Sequence, residues 1–291
     1  MKLYARAPGK VNLCLFLGPV RSDGRHELVT LYESVSLADE MMVEVSESGG
    51  DEVVCPTVDG VNLVAQAIAL LRDHGWDAPL LRVTIDKRIP IAGGMAGGSA
   101  DAAALLRMAP LLAPVGAGVL EEVAASLGAD VPSQLVPGVA IGTGAGEVVA
   151  RRPALTAHAF VVVPQAFELQ TAAVYRQADR IGVFRDRDGL ATLLAALRDA
   201  GDAPPPGLLV NDLMPAAVSL APAIGDALDA VRQAGAADAL VSGSGPTVFG
   251  AYWGAEAEAQ AADAARAVAD RYPGTTVAIP VDEEFGAPRG S

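Results

Sequence analysis

The sequence predicts an α+β protein rather than a parallel, doubly wound sheet. Short apolar or alternating runs follow one another as in hairpin strands, and amphipathic helix patterns occur between them. The chain has 291 residues, of which 51% are hydrophobic, so it is long enough for two domains with separate cores. A boundary is expected near Arg151-Arg152-Pro153, which gives domains over residues 1–153 and 154–285.

The first domain is predicted to begin with short strands separated by turns. A helix follows over residues 63–74, because Asn62 is a favoured N-cap and Gly75 a favoured stop. A glycine-rich segment then leads into another helix, which Pro110 is expected to end. Strands are predicted at 3–7, 11–17, 28–35, 41–45, 81–87, 139–141 and 147–150, a helix at 119–127 and a turn at 128–132.

The second domain is predicted to alternate strands with covering helices. The run Pro204-Pro205-Pro206 is expected to be a surface loop, and residues 286–291 a loose tail. Strands are predicted at 159–163, 239–241, 248–252 and 275–279, helices at 171–178, 190–200, 223–234 and 255–269, and a further element at 212–218.

Composition and charge exclude several functional classes. The formal net charge of −14 disfavours a nucleic-acid partner, because phosphate backbones are bound by clustered Lys and Arg. No segment reaches the roughly 18 apolar residues of a membrane span, and no secretory signal pattern is seen, so a soluble, cytoplasmic protein without a membrane partner is expected. Cys14 and Cys55 lack metal-ligand spacing and are expected to be free, buried thiols.

Residues 90–106, PIAGGMAGGSADAAALL, predict a phosphate-binding loop at the start of a helix. Four glycines permit a close backbone approach to an anion, and Ser99 is a favoured N-cap for the alanine-rich run. The helix start would present free N–H groups and a partial positive charge. Because Ser99 stands where a P-loop requires lysine, this is not a P-loop. The turn Gly142-Thr143-Gly144-Ala145-Gly146 lacks the following helix of a dinucleotide fingerprint.

Phosphoryl-transfer chemistry at such a loop requires a cation and a carboxylate from elsewhere in the chain. Lys10 follows a Pro-Gly turn at the start of a strand, and Asp130 stands alone among small and apolar residues. Each has a plainer interpretation, a solvated turn lysine and a helix cap or turn former. The segment Val241-Ser242-Gly243-Ser244-Gly245-Pro246-Thr247-Val248-Phe249 is either a plain hairpin or a second anion-binding nest.

These three segments resemble, in order and spacing, the three motifs of the GHMP small-molecule kinases. The first motif is Ala7-Pro8-Gly9-Lys10-Val11-Asn12-Leu13, the second lies within residues 90–104, and the third is the Gly/Ser hairpin at 241–249. Segments 23–28, 36–39, 128–132 and 211–213 resemble the branch that phosphorylates 4-diphosphocytidyl-2-C-methyl-D-erythritol in isoprenoid precursor biosynthesis. The resemblance covers nearly the whole chain.

The resemblance implies a two-domain fold, with an N-terminal mixed sheet covered by helices and a C-terminal ferredoxin-like α/β sandwich. It implies an ATP-dependent kinase that uses Mg²⁺, with Lys10 and Asp130 as catalytic residues. The expected oligomeric state is a monomer or weak homodimer, and no metal ligand can be assigned. By the resemblance, ATP is bound by Asn62, Lys87, Pro90, Ala92, Gly93, Gly94, Met95, Ala96, Gly97, Gly98, Ser99 and Ala100. The cytidyl substrate is bound by Asn12, Arg25, His26, Tyr175, Ser242, Gly243, Ser244 and Gly245. Asp101 is expected to be structural, favouring the dipole in the first turn of the loop's helix.

The chain departs from the family pattern at several positions. Arg25 stands where the branch usually has a tyrosine that stacks on cytosine, as Tyr175 is expected to do; a planar guanidinium can stack as well. Ala96 and Ala100 replace a glycine and a second serine of the commoner loop, and Ser133-Gln134 replaces an apolar pair.

Two other interpretations stay open. Another GHMP kinase, acting on homoserine or mevalonate, would share the three motifs, but the Asp23-Gly24-x-His26 turn argues against it. A catalytically silent nucleotide-binding relative would share the fold, but it would have no reason to keep both Lys10 and Asp130.

Overall fold

The computed structural model describes residues 2–47, 49–58, 60–203 and 207–290, which form two β-sheets and covering helices. The predicted α+β class is therefore confirmed. The predicted loop at Pro204-Pro205-Pro206 lies outside the described residues. Among the residues described, no helix is both long and apolar enough to cross a membrane.

The first sheet is mixed and is organised around two long antiparallel strands, β1 (Lys2–Val20) and β2 (His26–Val45). One half of β2 pairs with β4 (Leu81–Asp86) and the other with β5 (Val139–Thr143). The outer strands are β3 (Glu52–Val54), which is parallel to β4, and β6 (Val148–Arg152), which pairs with β5. The prediction of four short strands was wrong, because register shifts at Pro8/Lys10, Asn12/Cys14 and Leu17/Val20 interrupt the pairing of β1 and β2 without ending either strand.

Four helices accompany this sheet: α1 (Leu63–Asp73), α2 (Gly97–Leu112), α3 (Ala117–Leu127) and the short α4 (Val131–Gln134). Helix α2 continues through Pro110, contrary to prediction. A proline so near the helix end removes one hydrogen bond, and the next turn still forms, since Ala113 N donates to Ala109 O at 3.1 Å. The predicted turn at 128–132 runs into α4.

The second sheet is antiparallel, with the strand order β10 (Thr276–Ala278), β7 (His158–Val163), β9 (Val248–Trp253) and β8 (Asp238–Val241). Helices connect the first of these strands in the chain to the second, and the third to the fourth. The elements are β7 (His158–Val163), α5 (Thr171–Ile181), α6 (Arg187–Asp199), α7 (Met214–Leu220), α8 (Ala223–Gln233), β8 (Asp238–Val241), β9 (Val248–Trp253), α9 (Ala257–Val268) and β10 (Thr276–Ala278).

Strand β1 contributes to both hydrophobic cores. After the register shift between Asn12 and Cys14 its side chains alternate between faces, so Cys14 and Phe16 pack in the core beneath the first sheet, whereas Leu15 and Leu17 pack with the second. The division into domains at residue 153 stays a prediction. Residues 286–290 are not loose: Arg289–Gly290 form β11, which pairs with Leu3 and Tyr4 of β1.

Candidate active site

One cavity of about 1110 Å³ brings most of the predicted site residues together. It lies where β1, the loop before α2, the turn before α4 and helix α5 meet. The predicted residues that line it are Lys10, Asn12, Arg25, His26, Asn62, Lys87, Pro90, Ala92, Gly93, Gly94, Ala96, Gly97, Gly98, Ser99, Asp130, Tyr175, Gly243 and Ser244. Four predicted residues, Met95, Ala100, Ser242 and Gly245, are not among the residues that line it.

A β-bulge aims Lys10 into this cavity. Between Pro8 and Lys10 the pairing of β1 with β2 skips one residue of β1 and three of β2, and the Lys10 N–H donates to Met95 O at 3.1 Å instead of to β2. The ammonium group donates to Asn12 Oδ1 at 2.7 Å and to Gly94 O at 2.8 Å. Burial lowers the pKa of Lys10, and the carboxylate of Asp130 acts in the opposite direction. Since an ammonium has three donors, one is left for a ligand in the cavity.

Gly94 joins the phosphate-type loop to the Gly/Ser hairpin. Its φ is +78°, and a Cβ at this position would lie 2.1 Å from Ser242 O. The Gly94 carbonyl accepts hydrogen bonds from both Lys10 and the Ser242 hydroxyl, the latter at 3.0 Å. Thr247 N donates to Gly93 O at 3.3 Å. The three segments singled out in the sequence are therefore bonded directly to one another.

The start of α2 differs from the prediction. The helix begins at Gly97, and its N-cap is Ala96, which has a left-handed backbone (φ 56°) and no side-chain cap bond. Ser99 is thus the third helical residue and lines the cavity instead of capping the helix. Ala92 is also left-handed (φ 52°), and such conformations cost an L-residue roughly 1–2 kcal/mol. The backbone at Ala92 and Ala96 thus follows a path that glycine usually takes.

Lys87 lies under this loop between two carboxylates. Its ammonium pairs with Asp39 and, at 2.7 Å, with Asp101 Oδ2, and all three side chains are at most 6% exposed. Burial opposes the charge on Lys87, but Asp101 and Asp39 outweigh it and raise its pKa. Burial also raises the pKa of Asp101 to about 7. Asp101 lies in the second turn of α2, so the prediction that it favours the helix dipole from the first turn was wrong. Its carboxylate is instead the ion-pair partner of Lys87.

Asp130 does not act as a helix cap. It precedes α4, but its side chain makes no cap hydrogen bond, and its carbonyl accepts from Ser133 Oγ at 2.8 Å. The carboxylate lines the cavity and affects the pKa of Lys10, Tyr32 and Tyr175. The plainer interpretation of Asp130 as a cap is therefore excluded by its geometry.

The far wall of the cavity is formed by His26 and Tyr175, whose ring centroids are 5.7 Å apart. His26 is held at both ring nitrogens, by Gly18 O at 2.7 Å and by Asp179 Oδ1 at 3.0 Å. Arg25 lies at the rim, where its guanidinium donates to Asp23 Oδ2 and is half exposed. Asp23 therefore occupies the edge of the guanidinium that carries Nε and Nη2.

Comparison with known proteins agrees with this geometry. Models of the GHMP kinase N-terminal domain and of the GHMP kinase C-terminal domain match residues 62–142 and 188–273. The chain is 42% identical to the 4-diphosphocytidyl-2-C-methyl-D-erythritol kinase of Mycolicibacterium gilvum, over 83% of this chain and 79% of that protein. The chain belongs to the GHMP kinase family. It is also 45% identical to the enzyme of the same name from Mycobacterium tuberculosis, over 83% of this chain and 79% of that protein.

Solved GHMP kinases share the fold. A crystal structure of 4-(cytidine 5'-diphospho)-2C-methyl-D-erythritol kinase is 32% identical, with a TM-score of 0.74, over 95% of this chain and 98% of that one. A mevalonate kinase from L. major has a TM-score of 0.71 at 16% identity, over 96% of each chain, which is a likeness of fold alone. The protein is accordingly a small-molecule kinase of the GHMP type.

Several residues that build this GHMP site were missed in the sequence. Asp39 was noted only as part of a family segment, yet it accepts from Lys87 and from the Arg88 and Ile89 N–H groups. Asn211 supports the hairpin by donating to Val241 O and Gly243 O, both at 2.7 Å. Asp179 and Tyr32, both lining the cavity, gave no local sequence signal because their partners lie far along the chain.

Proposed function

We propose that this protein transfers the γ-phosphoryl group of ATP to the carbon-2 hydroxyl of 4-diphosphocytidyl-2-C-methyl-D-erythritol, a step of isoprenoid precursor biosynthesis. The observation that carries the proposal is the meeting, in one cavity, of a phosphate-type loop, the Lys10 and Asp130 side chains and the His26–Tyr175 wall. The identities to kinases of this name support the same substrate.

The loop before α2 fits the phosphates of ATP. Gly97 has no Cβ, and one placed there would lie 3.2 Å from Lys87 Nζ and 3.1 Å from the Ile89 side chain. The first N–H groups of α2 have no partner within the helix, and their residues, Gly97, Gly98 and Ser99, line the cavity. Asn62, whose side chain caps α1, and Lys87 lie on the side proposed for the adenine nucleoside.

Lys10 and Asp130 divide the chemistry between them. Asp130 orients the carbon-2 hydroxyl and accepts its proton as the oxygen bonds to the γ-phosphorus and the bond to the β–γ bridging oxygen breaks. Lys10 stabilises the negative charge that develops on the transferring group, using the donor left free by Asn12 and Gly94. Mg²⁺, which takes oxygen ligands, neutralises the phosphates when bound.

The cytidyl half of the substrate is proposed to lie against His26 and Tyr175, with Arg25 stacking from the rim. Asn12 contributes through Lys10, since its amide is already bonded to Lys10 and to Thr30 Oγ1. Gly243 and Ser244 line the same cavity, and Ser242 fixes the hairpin to Gly94. A cytoplasmic location, a monomer or weak homodimer, and the two-domain division at residue 153 stay predictions.

ADP release from ATP and Mg²⁺ tests this proposal when three acceptor alcohols are compared. We expect turnover with the cytidyl substrate and little or none with homoserine or mevalonate. Arg25→Tyr should change the KM for the cytidyl substrate more than the KM for ATP, because Arg25 lies at the rim beside His26. Equal turnover of homoserine or mevalonate would overturn the assigned substrate, and no turnover of any acceptor would favour the silent nucleotide-binding relative.

A further inference from the structure

We propose that Tyr32 is a positioning residue for the reaction, because its hydroxyl holds the Asp130 carboxylate in place and the glycine turn at 142–146 makes room for it. This inference rests on the proposed function, in which Asp130 acts on the acceptor hydroxyl. It also gives a role to the glycine turn, which neither the phosphate loop nor the catalytic pair explains.

Tyr32 lies at the centre of the site. It is on β2 directly opposite Asn12 of β1 in the sheet register, and it lines the cavity while remaining only 4% exposed. The Lys10 ammonium lies 5.8 Å from the centre of its ring. Tyr32 therefore lies beside Lys10 and Asn12 without being one of the predicted catalytic or binding residues.

The turn between β5 and β6 has glycine where a side chain would strike Tyr32. A Cβ at Gly142 would lie 2.5 Å from Tyr32 Cε2, and a Cβ at Gly146 would lie 2.4 Å from the Tyr32 hydroxyl oxygen. The absence of a side chain at Gly142 leaves room for the Tyr32 ring, and its absence at Gly146 leaves room for the Tyr32 hydroxyl. The same Gly146 Cβ would lie 3.8 Å from Ala129 Cβ, so the Tyr32 hydroxyl lies close to the residue that directly precedes Asp130.

The hydroxyl remains protonated and can donate a hydrogen bond. Burial, followed by the nearby Asp130 carboxylate, raises the pKa of Tyr32 well above its usual value. A buried phenol requires a hydrogen-bond partner, and a carboxylate is an acceptor. A donated bond to Asp130 would hold its carboxylate toward the acceptor hydroxyl and limit its rotation, so the expected effect is on kcat rather than on binding.

Tyr32→Phe tests this inference because it removes only the hydroxyl. We expect kcat to fall roughly 10- to 100-fold, the range for a hydrogen bond to a charged group, with both KM values changed less than about twofold. Tyr252→Phe is the matched control: Tyr252 is 3% exposed, and its hydroxyl donates to Ala234 O at 3.2 Å, outside the cavity. Its kcat should remain that of the wild type.

A double-mutant cycle separates positioning from folding. Gly146→Ala should lower kcat through its clash with the Tyr32 hydroxyl, and it should lower kcat much less when combined with Tyr32→Phe. Gly138→Ala controls for backbone strain alone, since Gly138 also has a positive φ, +134°, but a Cβ there meets nothing within 4 Å.

The outcomes distinguish this inference from the proposed function. Absence of wild-type turnover with the cytidyl substrate overturns both. In an active enzyme, any of three results overturns the positioning role alone. The first is a wild-type kcat in Tyr32→Phe, the second is an equal loss of kcat in Tyr32→Phe and Tyr252→Phe, and the third is additive effects of Tyr32→Phe and Gly146→Ala on kcat.

Discussion

Replacement of Lys87 by methionine probes the ion cluster beneath the nucleotide loop. Methionine keeps a long, unbranched side chain but removes the charge between Asp39 and Asp101. Asp39 retains two backbone donors, the N–H groups of Arg88 and Ile89, whereas Asp101 Oδ1 is buried without a partner among the described residues. Of the two carboxylates, Asp101 is therefore the one that loses most of its stabilising partners when Lys87 is replaced.

The expected cost at pH 8 is about 3–5 kcal/mol of unfolding free energy, the range for removing one partner of a buried ion pair. This is a large fraction of the roughly 5–15 kcal/mol that a folded protein has. The loss should shrink toward pH 6, because the pKa of Asp101 is already raised to about 7 and protonation removes the unpaired charge. Lys87→Met combined with Asp101→Asn should recover part of the loss at pH 8.

Urea unfolding at pH 8 and pH 6 measures these differences. Lys2→Met is the control, because Lys2 forms an exposed pair with Glu44 at 2.9 Å, and solvent screens such pairs so that they contribute little to stability. If Lys87→Met costs no more than Lys2→Met at pH 8, or if the double variant is no more stable than Lys87→Met, the cluster does not have the electrostatic role described here.

Three further predictions follow from buried groups. Lys10→Ala and Asp130→Ala should each lower kcat about 100-fold or more; near-wild-type turnover in either would remove that residue from the mechanism. Gln134→Leu should raise the unfolding free energy by about 1–3 kcal/mol in urea, because both polar side-chain atoms of Gln134 are buried without partners among the described residues; a loss of stability would contradict this. Burial opposes the charge on His158, but the Glu33 carboxylate outweighs burial and raises the pKa of His158. The His158–Glu33 pair therefore stabilises the fold fully below pH about 6.5, and this stabilisation is lost as the pH rises through the raised pKa. His158→Gln should reduce the fall in unfolding free energy between pH 6 and 8, whereas His74→Gln, at a more exposed site, should leave most of that fall in place. Equal pH slopes of unfolding free energy in the two variants would refute this.

The site chemistry could be predicted where residue type and local spacing carry it. The glycines before α2, Lys10 after a Pro-Gly turn and a lone Asp130 each have a local signature, and the structure brings them to one cavity. The start of α2 could not be predicted from local preferences. Gly94 must pass within contact distance of Ser242, and this tertiary contact, rather than the capping preference of Ser99, accompanies the left-handed turn at Ala96.

The supporting residues could not be predicted because their partners are distant in sequence. Asp39 meets Lys87 only when β2 and β4 pair, and Tyr32 meets Asp130 only when β5 and the turn before α4 are in place. The predicted lengths of the first strands were wrong for a related reason. Turn-forming residues within β1 become bulges, because the neighbouring strand β2 continues alongside them.

The position of the transferred phosphate tests the central claim most directly. The product of the wild-type protein with ATP, Mg²⁺ and 4-diphosphocytidyl-2-C-methyl-D-erythritol can be analysed by phosphorus and carbon NMR. We expect one new phosphomonoester, coupled to carbon 2, and none when Asp130→Ala replaces the wild type. A phosphate on another hydroxyl, or ADP formed without a phosphorylated product, would contradict the proposed reaction.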